Sequence, residues 1–199
     1  MPDAEIRGVA PDPARGADGE REAVRALLRS EFEVALGVGE AFARLYDSLL
    51  ETDPAVTPDC SRVAVVGGRV VGHALLAPRP IHVCEGVCPG GLVGMVVVHP
   101  GFRGQGIASR LIADVHCVAR ERGIGLLVLA GDPAFYRQFG YHHAFVTSSC
   151  LVEAIAPSTP CSVHLRSATC SEIDTLEALS DKNTPPGSVV RNLARWSWI

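Results

Sequence analysis

The sequence predicts an α/β chain with helices and strands mixed along its length, and three observations carry that prediction. Apolar residues recur at helical spacing between residues 20 and 50 and again over residues 104–122. Between and after them lie β-rich apolar runs at residues 62–66, 69–77, 91–98 and 124–130. Glycine and proline punctuate nearly every change of period. With 199 residues, 47% apolar and 20% charged, the chain can build its own core. That length allows one domain and part of a second.

Composition excludes several classes. A net charge of −4 gives no basic footprint for nucleic acid. Lys182 is the one lysine, so a phosphate-loop nucleotidase is excluded. No apolar run reaches the ~18 residues of a membrane span, and the first 19 residues lack a signal-peptide pattern. The seven cysteines are odd in number and scattered, which points to reduced thiols in a cytoplasmic protein.

Each element follows from its residues. Residues 5–9 form a short strand, and residues 10–19 a Pro- and Gly-rich loop. Val24, Leu27, Leu28 and Phe32 line one side of a first helix. Phe42, Leu45, Tyr46, Leu49 and Leu50 line a second, which stops before Pro54 and Pro58. Gly67-Gly68 joins residues 62–66 and 69–77 as a hairpin. A dinucleotide-fold reading of that glycine pair fails, because no helix follows it. Residues 81–89 read as a loop or irregular strand, and residues 91–98 as a buried strand ended by Pro100. A helix over residues 104–122 turns Ile107, Leu111, Val115 and Val118 inward and closes at Gly123. Residues 124–130 form another buried strand. Asp132-Pro133 opens a short helix to about Phe139, with Gly140 as its stop. A last strand lies within residues 142–154. After Pro157 and Pro160, residues 163–166 form a strand, and Thr169 and Glu172 have capping-box spacing before Ile173, Leu176 and Leu179.

The chemistry sits between the strand at residues 91–98 and the helix after it. A buried strand, a proline stop, a Gly-rich turn and a helix follow one another there. Gly104 and Gly106 let backbone approach a ligand, and free amides at a helix start favour an anion such as pyrophosphate. Arg103 adds positive charge.

Arg103-x-x-Gly106-x-Ala108 after a strand resembles the acyl-CoA motif of the GNAT superfamily of N-acetyltransferases. The run from Gly131 to Tyr141, with Tyr136 ahead of Gly140, resembles that family's closing helix. Within the superfamily the chain most resembles the enhanced-intracellular-survival type and its bacterial relatives. The resemblance implies a GNAT-like acyl-CoA N-acyltransferase fold, a twisted mixed β-sheet flanked by helices, whose strands at residues 91–98 and 124–130 splay at one end. It implies acetyl-CoA as cosubstrate, with its pantetheine arm on the backbone of Val96, Val97 and Val98. The pyrophosphate would lie on the turn of Arg103, Gly104, Gln105, Gly106, Ile107, Ala108 and Ser109. The reaction implied is acetyl transfer to a primary amine of a small molecule or protein. Tyr136 matches the family's proton donor to the leaving thiol.

No base is assigned. Where many relatives carry a Glu on the strand, this chain has Gly94. Asp132 reads as a cap, Glu31 and Glu33 stand near the acceptor side, and His99 reads as exposed. His82, Cys84 and Cys88 are too loose a set for zinc, so no metal is expected. Cys117 lacks the partners of a thiol nucleophile. The alternative function is a GNAT-like module that binds acyl-CoA without transferring from it. Residues 1–154 make up the transferase domain. Residues 155–199 form a linker and a partial second GNAT-like unit, which packs loosely or, in a homo-oligomer, against a second copy, with Trp196 and Trp198 as anchors.

Overall fold

Residues whose apolar side chains alternate along the strands are pulled into one sheet, with helices on both faces. The computed structural model describes residues 3–9, 19–144, 166 and 169–183. In chain order the elements are β1 (Glu5–Gly8), α1 (Gly19–Leu36), α2 (Gly39–Thr52), β2 (Ser61–Val66) and β3 (Arg69–Pro78). They continue with β4 (Ile81–Val83), β5 (Gly86–Cys88), β6 (Gly90–Val98), α3 (Ile107–Glu121), β7 (Leu126–Val128), α4 (Pro133–Tyr136) and α5 (Ile173–Asn183). The main sheet has the order β1-β2-β3-β6-β7. Its first four strands are antiparallel in turn, and β7 joins β6 in parallel. The sheet is therefore mixed, as the resemblance implies.

One core lies between the sheet and the α1–α2 pair. Val24, Leu28 and Tyr46 of the helices meet Val63, Val65, Leu75 and Ala77 there. The other lies under α3, where Ile107, Leu111, Ile112 and Val115 meet Ala64, Val71, Ala74, Leu76 and Val93. Successive residues of each strand thus serve opposite layers, as a period of two requires. Phe32 of α1 and Phe42 of α2 stack with centroids 3.8 Å apart, so the two helices are locked face to face near the cleft described below.

Several expectations are corrected. Residues 81–89 are an ordered antiparallel hairpin, β4–β5, in its own two-stranded sheet. Leu45 is 41% exposed, because the apolar stripe of α2 is narrower than its sequence and centres on Ala43, Tyr46 and Leu49. The third helix begins at Ile107 rather than Gly104, since Gly104 and Gly106 have φ of 73 and 75. The strand expected over residues 124–130 contracts to Leu126–Val128 and is half-buried. The strands expected at 142–154 and 163–166 fall almost wholly outside the described residues, as do Trp196 and Trp198. The three described residues of the former, His142 to Ala144, have no regular structure. In the tail, the Glu172 carboxylate accepts the Thr169 amide at 2.9 Å, which is half of the capping box expected.

The sheet contains a buried polar chain. His73 of β3 is 0% exposed. Its Nδ1 lies 3.0 Å from the Met95 carbonyl and its Nε2 lies 3.0 Å from Ser61 Oγ. Ser61 Oγ lies 2.9 Å from the Tyr46 hydroxyl. A carbonyl can only accept, so Nδ1 carries the proton and Nε2 accepts from Ser61, which leaves Tyr46 donating to Ser61 Oγ. Burial pushes the His73 pKa down from 6.5 to about 4, against a smaller upward pull from the Met95 carbonyl.

That shift has a sign. Between pH 6.5 and about 4 the unfolded chain takes a proton that folded His73 refuses. Stability is full above the upper value and declines as pH falls toward the lower. Between pH 7 and 4.5 the native protein should lose on the order of 2 kcal/mol more stability than His73→Asn, read from urea midpoints at each pH. Parallel pH curves for the two proteins would refute a buried neutral His73.

Candidate active site

The far end of β6 and the turn that follows it share a cleft of about 570 Å³. β6 pairs with β3 out to Val98, but with β7 only from Gly90 to Leu92. Beyond Leu92 that second edge of β6 has no strand partner among the described residues. The two strands separate there, which is the splay the resemblance implies.

The turn supplies donors. Gly106 caps α3 with no side-chain hydrogen bond, and the first helical bond runs from Arg110 N–H to the Gly106 carbonyl at 3.0 Å. The amides of Gly104, Gln105, Gly106, Ile107, Ala108 and Ser109 therefore find no acceptor among the described residues. The left-handed φ at Gly104 and Gly106 turns this backbone in a way that side-chain-bearing residues resist. Arg103 Nε donates to the Val98 carbonyl at 3.0 Å, and its guanidinium forms an ion pair with Glu31 of α1. The Arg103 charge is thus largely matched within the protein.

α4 forms the opposite wall. Asp132 Oδ1 accepts the Ala134 amide at 2.9 Å and Pro133 takes the first position, as the sequence predicts. Gly140 ends the segment with φ 88. The Tyr136 ring lies against Gly131, where an added Cβ would clash with Cε2. Only glycine at that position leaves the ring where it is. The Tyr136 hydroxyl makes no hydrogen bond to a described residue, and burial raises its pKa above 10.

Of the residues singled out from sequence, Val96, Val97, Val98, Arg103, Gly104, Gly106, Ile107, Ala108, Ser109 and Tyr136 line the cleft. Gln105 is exposed and does not. Glu31 and Glu33 part company: Glu31 reaches the cleft, whereas Glu33 is exposed and caps α2 by accepting the Gly39 amide at 3.0 Å. His99 is half-buried rather than exposed, with Nδ1 accepting the Gly101 amide. No group of three or more His, Cys, Asp or Glu is placed to share a metal ion among the described residues. No helix there is long and apolar enough to cross a membrane.

Sequence reasoning missed Phe32, Ala35, Phe102 and Phe135 as cleft residues. Phe32 was legible only as core, at the end of the α1 stripe. Phe135 carried a signal, since it precedes Tyr136 in the closing-helix motif and packs edge-on against that ring at 4.9 Å.

Comparison with known proteins agrees with this geometry. Residues 15–144 match the family model for the acetyltransferase (GNAT) domain. The chain is 30% identical over 129 residues to YhbS of Escherichia coli K12, an uncharacterised N-acetyltransferase, covering 61% of this chain and 67% of that protein. The crystal structure of E. coli YhbS in complex with CoA superposes with a TM-score of 0.58, at 28% identity over 71% of this chain and 70% of that one. A GNAT acetyltransferase from Brucella melitensis, solved with acetyl-CoA, shares the fold over 98% of this chain and 99% of its own, at TM-score 0.63 and 24% identity. A probable N-acyltransferase from Enterococcus faecalis shares it over 98% of this chain and 48% of its own, at TM-score 0.69 and 15% identity. The chain belongs to the GNAT family of acetyl-CoA-dependent N-acetyltransferases.

Proposed function

We propose that acetyl-CoA lies along the free edge of β6 and that the chain moves its acetyl group to a primary amine of a small molecule or protein. The observation that carries this reading is the run of amides from Gly104 to Ser109 that find no acceptor among the described residues, opening off the end of β6 that has no strand partner among them. In it, Val96, Val97 and Val98 offer backbone to the pantetheine arm, and the turn from Arg103 to Ser109 holds the pyrophosphate. The amides and the α3 dipole do most of that work, because Glu31 already offsets Arg103.

The amine nitrogen attacks the thioester carbonyl carbon, the carbon–sulfur bond breaks with its electron pair passing to sulfur, and the proton released by the amine passes to water. Tyr136 faces this step from α4. A full proton transfer from an unperturbed tyrosine to a thiolate is uphill by roughly 2 kcal/mol. Burial raises the Tyr136 pKa and makes the transfer harder still. Tyr136 therefore acts as a hydrogen-bond donor to the developing thiolate rather than as a full acid.

A second reading, acyl-CoA binding without transfer, is favoured by one observation. Gly94 puts no carboxylate on β6, although a Cβ there would meet nothing within 4 Å. The domain division at residues 154 and 155, with a partial second GNAT-like unit after it, is part of the proposal. So is the likeness to the enhanced-intracellular-survival type.

Free-thiol release from acetyl-CoA across aminoglycosides, polyamines, amino acids and protein amines separates the two readings. Release with none of these, despite CoA binding, would favour the binding module. Gly106→Val places a branched residue at φ 75, where it costs about 1–2 kcal/mol, but its Cβ meets no atom within 4 Å. The protein should stay folded with a slightly lower Tm and bind CoA at least about tenfold more weakly by calorimetry. Unchanged affinity in the folded variant would remove the turn from the site. Tyr136→Phe should lower kcat roughly 10- to 150-fold at near-constant acetyl-CoA affinity, since a hydrogen bond to developing charge is worth about 1.5–3 kcal/mol. Wild-type turnover in that variant, on an acceptor for which chemistry limits the rate, would reduce Tyr136 to a packing residue.

A further inference from the structure

We propose that His73 is the positioning residue for the acetyl-CoA rail of β6, an inference that rests on the assignment of that free edge to acetyl-CoA. The register shows why β6 needs one. Leu75 stands opposite Gly94 and His73 opposite Val97, so Met95 and Val96 together face Ala74 alone. This is a bulge, and Met95 adopts φ 52 within it, a conformation that residues with a Cβ rarely take.

The bulge changes the phase of the strand. Leu92 packs on the α1–α2 layer and Val93 on the α3 layer. Simple alternation would send Met95 to the α3 layer. It packs instead on the α1–α2 layer, with Val97, while Val96 and Val98 pack on the α3 layer. The backbone that lines the cleft is therefore set by what happens at Met95.

Met95 is buried, so water does not reach its carbonyl. His73 Nδ1 donates to it at 3.0 Å from the neighbouring strand. The imidazole is itself aimed by Ser61 of β2 and, through Ser61, by Tyr46 of α2. α2, β2 and β3 together thus fix one carbonyl of β6. His73 touches neither substrate in this arrangement and acts only through the strand.

Two substitutions separate the two ends of the ring. His73→Asn can keep a donor where Nδ1 stands and gives up the link to Ser61. His73→Gln can keep the link to Ser61 and gives up the donor to Met95. Hydrogen exchange of the Val97 amide, which faces β3, reads the bulge without CoA, and calorimetry with CoA reads the rail. In His73→Gln we expect exchange and CoA dissociation constant both to rise about tenfold, with KM for acetyl-CoA raised and KM for the amine unchanged. In His73→Asn both should stay within about threefold of wild type. Equal behaviour of the two folded variants would overturn the proposal. If His73→Gln does not fold, His73→Asn decides alone: near-native CoA affinity supports the assignment and a tenfold loss overturns it. A wild-type protein that binds no CoA would refute the site reading, while unequal exchange in the two variants would still uphold the hold of His73 on the bulge.

Discussion

A strand has two edges, and every amide and carbonyl along both must find a partner in protein, solvent or ligand. β6 meets that constraint along β3 from Gly91 to Val98, interrupted by the bulge at Met95 and Val96, and only over Gly90 to Leu92 on the β7 side. Most of what distinguishes this fold follows from the mismatch. The two helical layers clamp β6 from both faces, through Met95 and Val97 on one and Val93 on the other. The strand is thus rigid while one of its edges stays open. The turn at its end then starts α3 with no side-chain cap, which adds beside the first a second set of donors with no acceptor among the described residues. Open edge and open helix start lie in one cleft because only the residues from His99 to Gly106 separate them.

The parts legible in the sequence are those whose signal is local. The Gly-rich turn after a buried strand, the Asp132-Pro133 helix start and the Gly67-Gly68 hairpin all depend on backbone preferences that a few neighbours determine. So does the separation of helical from β periods. The misplaced features depend on partners far along the chain. β7 is short because β6 leaves it, and nothing in the run after Gly123 encodes the curvature of another strand. α2 exposes Leu45 because the layer beneath it is only wide enough for Ala43, Tyr46 and Leu49. His73 was invisible for the same reason. Within a β-rich run a histidine carries no local mark of being buried, and its partners lie 12 and 22 residues away. Glu31 and Glu33 could not be told apart until α1 was placed against the turn that carries Arg103.

In the proposed reaction the cleft works mostly without net charge of its own. Arg103 is matched by Glu31, so the pyrophosphate would be held by backbone dipoles that folding has already oriented. Tyr136 keeps its proton more firmly than a free phenol, which suits a donor that must still carry that proton when the sulfur begins to leave. Gly94 places no carboxylate on this part of β6. What remains for such a site is to bring an amine and a thioester together in one orientation, and that alone can lower a barrier by about 7–11 kcal/mol if the geometry is held closely. A site that relies on position more than on charge needs a strand that does not slide. The buried chain from Tyr46 through Ser61 and His73 to Met95 meets that need, because it ties the bulge of β6 to three other elements with no group of it exposed to water.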